Sequence, residues 1–342
     1  MDLSRLRHVY EQEGPFATVY LEGRSPGEDS THQMHLRWKA LRERLASQEA
    51  TSGALEALDA ELGGEAGEEQ TNGRVLVAAD AGIVLDEPWD ASLGAGDDAH
   101  WTVIPELGAY VREEARSVRI LVVIADQEGA QVRQEVLAPQ HVAREVGSEI
   151  VEGSEEGVHK PRGGALSHNQ IQRRADEALG NNVDDVVAHL NTVSAGFRPR
   201  VLVLAGAVQA RSAIRDALPG ELSDILVETE RGGRDSNASD EVLFERLREI
   251  ASERSASAAR ERSEQLNAGL AHEQAAQGGE QVAKAVEFGA VGTLLFEPGR
   301  DAAREAFLLK NCAETSAHFD VVEEGTDLAD GVGALLRHPL NQ

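Results

Sequence analysis

The sequence predicts a multidomain α/β protein whose domains are mixed β-sheets packed with helices. Three observations lead there. At 342 residues the chain exceeds the size at which one hydrophobic core stops growing. Val118–Ala125, apolar apart from Arg119, and Val201–Ala207 are short β-branched runs of the kind buried on both faces of a sheet. Between and after such runs the apolar residues recur at threes and fours, so strand and helix alternate.

Taken in order, Phe16–Leu21 reads as a strand and Thr31–Ala46 as a helix with Met34, Trp38, Leu41 and Leu45 at helical spacing. Val75–Ala79 and Ile83–Leu85 form a hairpin around Asp80-Ala81-Gly82, after which Pro88 and the stretch 94–98 break the pattern. A boundary near residue 112 gives an N-terminal domain, 1–112. In the central domain, 113–234, Val118–Ala125 turns back into the alternating strand Ala130–Val136, followed by an irregular stretch rich in glycine and glutamate. Ser167-His168-Asn169-Gln170 has the form of a capping box, with Ser167 as N-cap. The helix it opens carries Ile171, Ala175, Ala178, Leu179, Val183, Val186, Val187 and Leu190 on one face. Strand 201–207, helix 210–218 and strand 225–228 complete this domain. The C-terminal domain, 235–342, holds a long charged helix over 240–266, a helix over 281–288, a strand over 291–296 and a closing edge strand within 330–337.

Composition narrows the function classes. The chain has 33 basic and 60 acidic residues, net charge −27, so nucleic acid repels it at long range and any RNA contact needs a local basic patch. Only Lys39, Lys160, Lys284 and Lys310 are lysines, and an acidic chain poor in lysine suits a salty cytoplasm. The longest apolar runs are too short to span a bilayer, and the start of the chain lacks the apolar core of a secretory signal. The single cysteine, Cys312, fits a reducing compartment. The expected location is the cytoplasm, with no membrane contact.

Most local motifs have a plain structural reading. Gly23-Arg24-Ser25-Pro26-Gly27 matches a nucleophile-elbow spacing, but Pro26 pushes Ser25 toward extended geometry, so the segment reads as a loop. His32 and His35, three apart on a helix, lack further ligands and read as a solvated face. Gly331-Val332-Gly333 lacks the third glycine and the βαβ unit of a dinucleotide site. No residue set is assigned to a metal or a cofactor. One segment stands apart: His159-Lys160-Pro161-Arg162-Gly163-Gly164. It follows a hairpin and leads into a helix bearing Arg173 and Arg174, and residues 158–175 contain no acid. Glycines allow close backbone approach to a crowded surface, and the basic side chains position phosphates. The same features are found in a solvated surface loop.

The order of these features resembles the archaeo-eukaryotic class-one release factor superfamily. That group includes Pelota and a bacterial and archaeal branch containing the ribosome dormancy factor Balon. In its central domain a hairpin precedes a basic loop with a Gly-Gly-Gln tip and then a long helix. Here the sequence runs from Arg119–Asp126 through Lys160–Gly164 to the helix from Ser167. Val201–Gly206, Arg231-Gly232-Gly233, Val282–Val291 and Gly331–Arg337 are similar to later family segments in the same order. The resemblance covers roughly residues 115–342; the first domain shows no stop-codon-reading motif.

What the resemblance implies is release-factor-like central and C-terminal domains and a ribosomal partner. Contacts to ribosomal RNA would come from His159, Lys160, Arg162, Gly163, Gly164, Arg173 and Arg174. Peptidyl-tRNA and elongation factor Tu or a related translational GTPase are further implied partners. The family places its attacking water with the glutamine after the glycines, and this chain has Ala165 there. No catalytic residue is therefore assigned, His168 and Gln170 being the nearby polar alternatives. The expected role is occupation of the ribosomal A site in dormancy, stress or rescue, without codon-specific termination. Peptidyl-tRNA hydrolysis on stalled ribosomes is the alternative, and an unrelated cytosolic α/β enzyme the second.

Overall fold

The computed structural model describes residues 1–21, 30–63, 73–89, 96–126, 129–138, 144–152, 168–231 and 237–340; the side chains of 30–31, 152, 168–181 and 237–239 are not included. The chain forms two compact units. One comprises Met1–Arg116 and Ser255–Gln342, the other Ser117–Arg254. Each of the stretches 1–112, 113–234 and 235–342 contributes one sheet, so the protein is mixed α/β throughout.

The first unit opens with one turn of helix, α1 (Arg7–Tyr10), and strand β1 (Phe16–Leu21). Helices α2 (Ser30–Ser47) and α3 (Ser52–Leu62) follow, then strands β2 (Gly73–Ala79), β3 (Gly82–Trp89) and β4 (Asp98–Thr102), and helix α4 (Gly108–Arg116). The strands form an antiparallel sheet in the order β3-β2-β1-β4. Alternation divides the wholly buried β1 between two cores. Ala17, Val19 and Leu21 meet Trp38, Leu41, Leu45 and Leu58 of α2 and α3. Phe16 and Tyr20 join a second core shared with the last third of the chain. Strand β3 continues through Pro88 to Trp89, farther than the expected hairpin, because an edge strand tolerates proline.

The second unit is built on β5 (Val118–Ala125), β6 (Gly129–Leu137), β7 (Arg144–Glu152), β8 (Val201–Gly206) and β9 (Leu226–Glu228). Its helices are α5 (His168–Phe197), α6 (Val208–Ala217), the short α7 (Gly220–Ser223) and the first part of α8 (Asn237–Ala271). The sheet order is β7-β6-β5-β8-β9, antiparallel from β7 to β5 and parallel from β5 to β9. Period-two alternation again sets the layers. Leu121, Val123, Leu202 and Leu204 pack under Val183, Val186 and Leu190 of α5 and Ile214 of α6. Ile120, Val122, Ile124, Val201 and Val203 pack under Leu243, Leu247 and Ile250 of α8. The stretch read as irregular after β6 contains β7, an edge strand whose glycine, serine and glutamates carry little strand signal.

The last third completes the first unit with β10 (Ala275–Gln277), α9 (Gly279–Glu287), β11 (Val291–Phe296), α10 (Glu305–Glu314), β12 (His318–Val321) and β13 (Val332–Leu336). The order is β10-β13-β11-β12, with β11 and β12 parallel across the α10 crossover. The closing segment was expected at an edge, yet β13 lies between β10 and β11. Its outer neighbour, Ala275-Ala276-Gln277, is three small or polar residues and gave no periodic signal. The first residues of the chain run along the free side of β12: Asp2 bridges His318, Leu3 N–H donates to Ala317 O at 3.1 Å, and Phe319 N–H donates to Met1 O at 2.8 Å.

Candidate functional site

The sequence places the functional signal between β7 and α5. His159, Lys160, Arg162, Gly163, Gly164, Ala165 and Ser167 lie outside the described residues, as does the Gly23–Gly27 loop. His168, Gln170, Arg173 and Arg174 belong to α5 by backbone, and their side chains are likewise outside. What the structure describes is the support for that loop. From Val183 to Leu190, α5 is locked onto the sheet by a fully apolar face. Its N-terminus lies 15 residues earlier, about 22 Å away at 1.5 Å per residue.

A concave site, which the sequence did not reveal, lies in the first unit. It is a cleft of about 530 Å³ whose lining includes Asp98, His100, Glu106, Asp301, Arg304 and Glu305. His100 Nε2 lies 2.9 Å from Asp98 Oδ2, and Asp98 also meets Arg44 at 2.5 Å. Burial raises the Glu106 carboxyl above its ordinary range; His100 opposes that rise, and Glu305 and Asp301 add to it. Glu305 is committed elsewhere. It pairs with Arg112 through two bonds of 2.9 and 2.5 Å and accepts Ala302 N–H at 2.9 Å. Arg112 also donates to the carbonyls of Glu297 and Arg300 and lies over the Phe296 ring. Two of the cleft's acids, Asp98 and Glu305, are thus held by structural partners. Its residues are scattered from 20 to 307, so no local motif could have announced it. Among the described residues no group of three or more His, Cys, Asp or Glu is arranged to hold a metal ion, and His32 and His35 are exposed on α2.

Residues 119–272 match the family described as bacterial archaeo-eukaryotic release factor family 2. By that match this segment resembles the bacterial branch of the archaeo-eukaryotic release factor superfamily. The match spans the sheet, α5 and α8, so the loop-bearing helix falls within the release-factor segment. Across nearly the whole chain there is also similarity to an uncharacterized protein found in two strains of Mycobacterium tuberculosis, 24% identical and covering 99% of this chain and 97% of that one. Solved structures that align include an archaeal translation termination factor, 16% identical, covering 98% of this chain and 97% of that chain with a TM-score of 0.26. Archaeoglobus fulgidus Pelota aligns at 16% identity, 99% and 93% coverage and a TM-score of 0.34. An archaeal Pelota in a ribosome-bound assembly aligns at 12% identity, 98% and 94% coverage and a TM-score of 0.43. The family match makes translation the process to which the segment points. Among the described residues no helix is long and apolar enough to cross a membrane.

Proposed function

We propose that this protein is a cytoplasmic, ribosome-associated release-factor-like factor that occupies the A site in dormancy, stress or rescue without codon-specific termination. One observation carries the reading: a release-factor segment, residues 119–272, whose loop reads Gly163-Gly164-Ala165 in place of Gly-Gly-Gln. The glycines and the cations Lys160 and Arg162, with His159 beside them, suit entry into a crowded phosphate-rich site. Arg173 and Arg174 continue that charge onto α5. Ala165 offers no side-chain donor or acceptor to hold a water against an ester, so occupation is favoured over hydrolysis. Elongation factor Tu or a related translational GTPase is the proposed delivery partner.

The test pairs two measurements on the full chain: cosedimentation with ribosomes, and release of labelled peptide from stalled peptidyl-tRNA complexes. Binding without release is expected. Release that is lost in a Gly163→Ala, Gly164→Ala variant would replace this reading with peptidyl-tRNA hydrolysis, with Gln170 and His168 the residues to vary next. Absence of binding at every salt concentration would sink both.

A further inference from the structure

At the far end of α5 from the glycine loop, the second unit gathers arginines. Residues 186–215 contain no aspartate or glutamate in a chain that has 60 of them. Where α5 ends, Arg198 takes a left-handed turn at φ 53° and Arg200 leads into β8. Arg200 N–H donates to Arg119 O at 2.9 Å, which sets the two residues side by side across the parallel pair of β8 and β5. On the other side of Arg119 the register runs through Val136 of β6 to Arg144 of β7. Paired residues share a face, so Arg144 and Arg119 lie on the face that α5 covers. Strand spacing puts Arg119 roughly 5 Å from Arg200 and roughly 10 Å from Arg144.

Arg119 is partly used at home, donating to Phe197 O at 3.3 Å and so closing the end of α5. Arg198 and Arg200 are exposed and Arg144 is half-buried. Among the described residues no carboxylate lies within ion-pair range of these three guanidinium groups, whereas Arg42, Arg44, Arg74, Arg112 and Arg262 each meet one. Gathering like charges on one corner costs folding free energy that an anionic partner offsets. Arginine's planar fork suits phosphate oxygens, and several forks on strands that span about 15 Å suit successive phosphates better than one small anion.

We infer that the Arg119–Arg144–Arg198–Arg200 corner of the second unit is a docking surface for the phosphodiester backbone of RNA, separate from the glycine loop. The inference rests on the ribosomal reading and adds a second RNA contact to it. The test compares the parent chain with an Arg144→Gln, Arg198→Asn, Arg200→Gln variant. Arg119 is kept because it closes α5, and asparagine is chosen at 198 because it tolerates positive φ. Binding to ribosomes, to a short A-form RNA duplex and to polyglutamate is measured across a salt series. The parent should bind ribosomes and duplex but not polyglutamate. The variant should bind both about tenfold more weakly, with a log–log salt slope shallower by roughly two. Single Arg144→Gln and Arg200→Gln variants, each losing part of that slope, stand in if the triple variant does not fold. A parent that binds ribosomes with affinity and slope equal to the variant's overturns the corner and leaves the ribosomal reading intact. Duplex binding lost in the variant, in a chain that ignores ribosomes, supports the corner and sinks that reading. Preference for polyglutamate, or no binding of the parent to either RNA target, overturns the inference.

Discussion

Gly206 ends β8 at φ 101°, and a Cβ there would lie 2.0 Å from the carbonyl oxygen of Ala125. Both the backbone angle and the contact exclude a side chain, so Gly206→Ala should cost on the order of 3 kcal/mol, read as a lower urea midpoint. An unchanged midpoint would show that β5 and β8 can separate at this point. Arg112 and Glu305 form a pair whose side chains are 10% and 12% exposed. Removing one partner strands a buried charge, so Arg112→Met or Glu305→Met alone should destabilise by about 3–5 kcal/mol, and the double variant by clearly less than the sum. Strict additivity in that cycle would show the two groups act independently. Glu106 gives a pH test. Its raised carboxyl means the folded state holds its proton more tightly, so stability falls as pH rises through the carboxylate range. Glu106→Gln should therefore raise the Tm at pH 7 and lose that advantage at pH below the range; an equal effect at both pH values would refute it. None of these residue-level features is legible in the sequence, because each depends on a partner remote in the chain. Arg112 and Glu305, for instance, are 193 positions apart.

Elements were legible where one face or both faces are continuously apolar. Phe16–Leu21, Val118–Ala125, Val201–Gly206 and Val291–Phe296 were expected as strands, and each lies inside its sheet. Those that escaped are at edges or short: β4, β7, β10 and β12 present polar or small residues to at least one side and need no strong pattern of their own. The helix expected over 240–266 extends over Asn237–Ala271, and its two ends serve different cores. Leu243, Leu247 and Ile250 belong to the core of the second unit, whereas Leu266 packs with Leu295, Val322 and Leu328 of the first. Leu247→Ala should thus cost about 2–5 kcal/mol and speed hydrogen exchange in β5 and β8, leaving β11 largely protected. Exchange that accelerates equally in β5 and β11 would mean the cores open together. For the candidate site, the helix was readable from its threes-and-fours pattern, and the glycine loop from its lack of acid between 158 and 175. The arginine corner was not, because sheet register brings residue 119 into line with 144 and 200, and 198 joins them from the turn after α5.

A net charge of −27 acts on the molecule as a whole. Self-repulsion weakens compact states and salt screens it, so the Tm should rise between about 0.01 and 0.5 M monovalent salt while ribosome binding weakens. A Tm that falls with salt would show that local ion pairs outweigh the overall repulsion. The same protein is thereby expected to be more stable and less adhesive at high salt. Cys312 reports on the first unit: it is fully buried, and burial pushes its thiol up to about 12. Alkylation at pH 8 should be negligible in native protein and become rapid on unfolding; fast native labelling would contradict the packing of α10.

The strip that Met1, Asp2 and Leu3 lay along β12 has a further bearing on how the protein is handled. An uncovered parallel strand offers a row of idle amides and carbonyls to any extended chain nearby, including another molecule of the same kind. Trimming those three residues should leave the catalogue of helices nearly intact by circular dichroism and yet raise light scattering with time and concentration. The opening of the chain would then count as a guard against aggregation as much as a piece of the core.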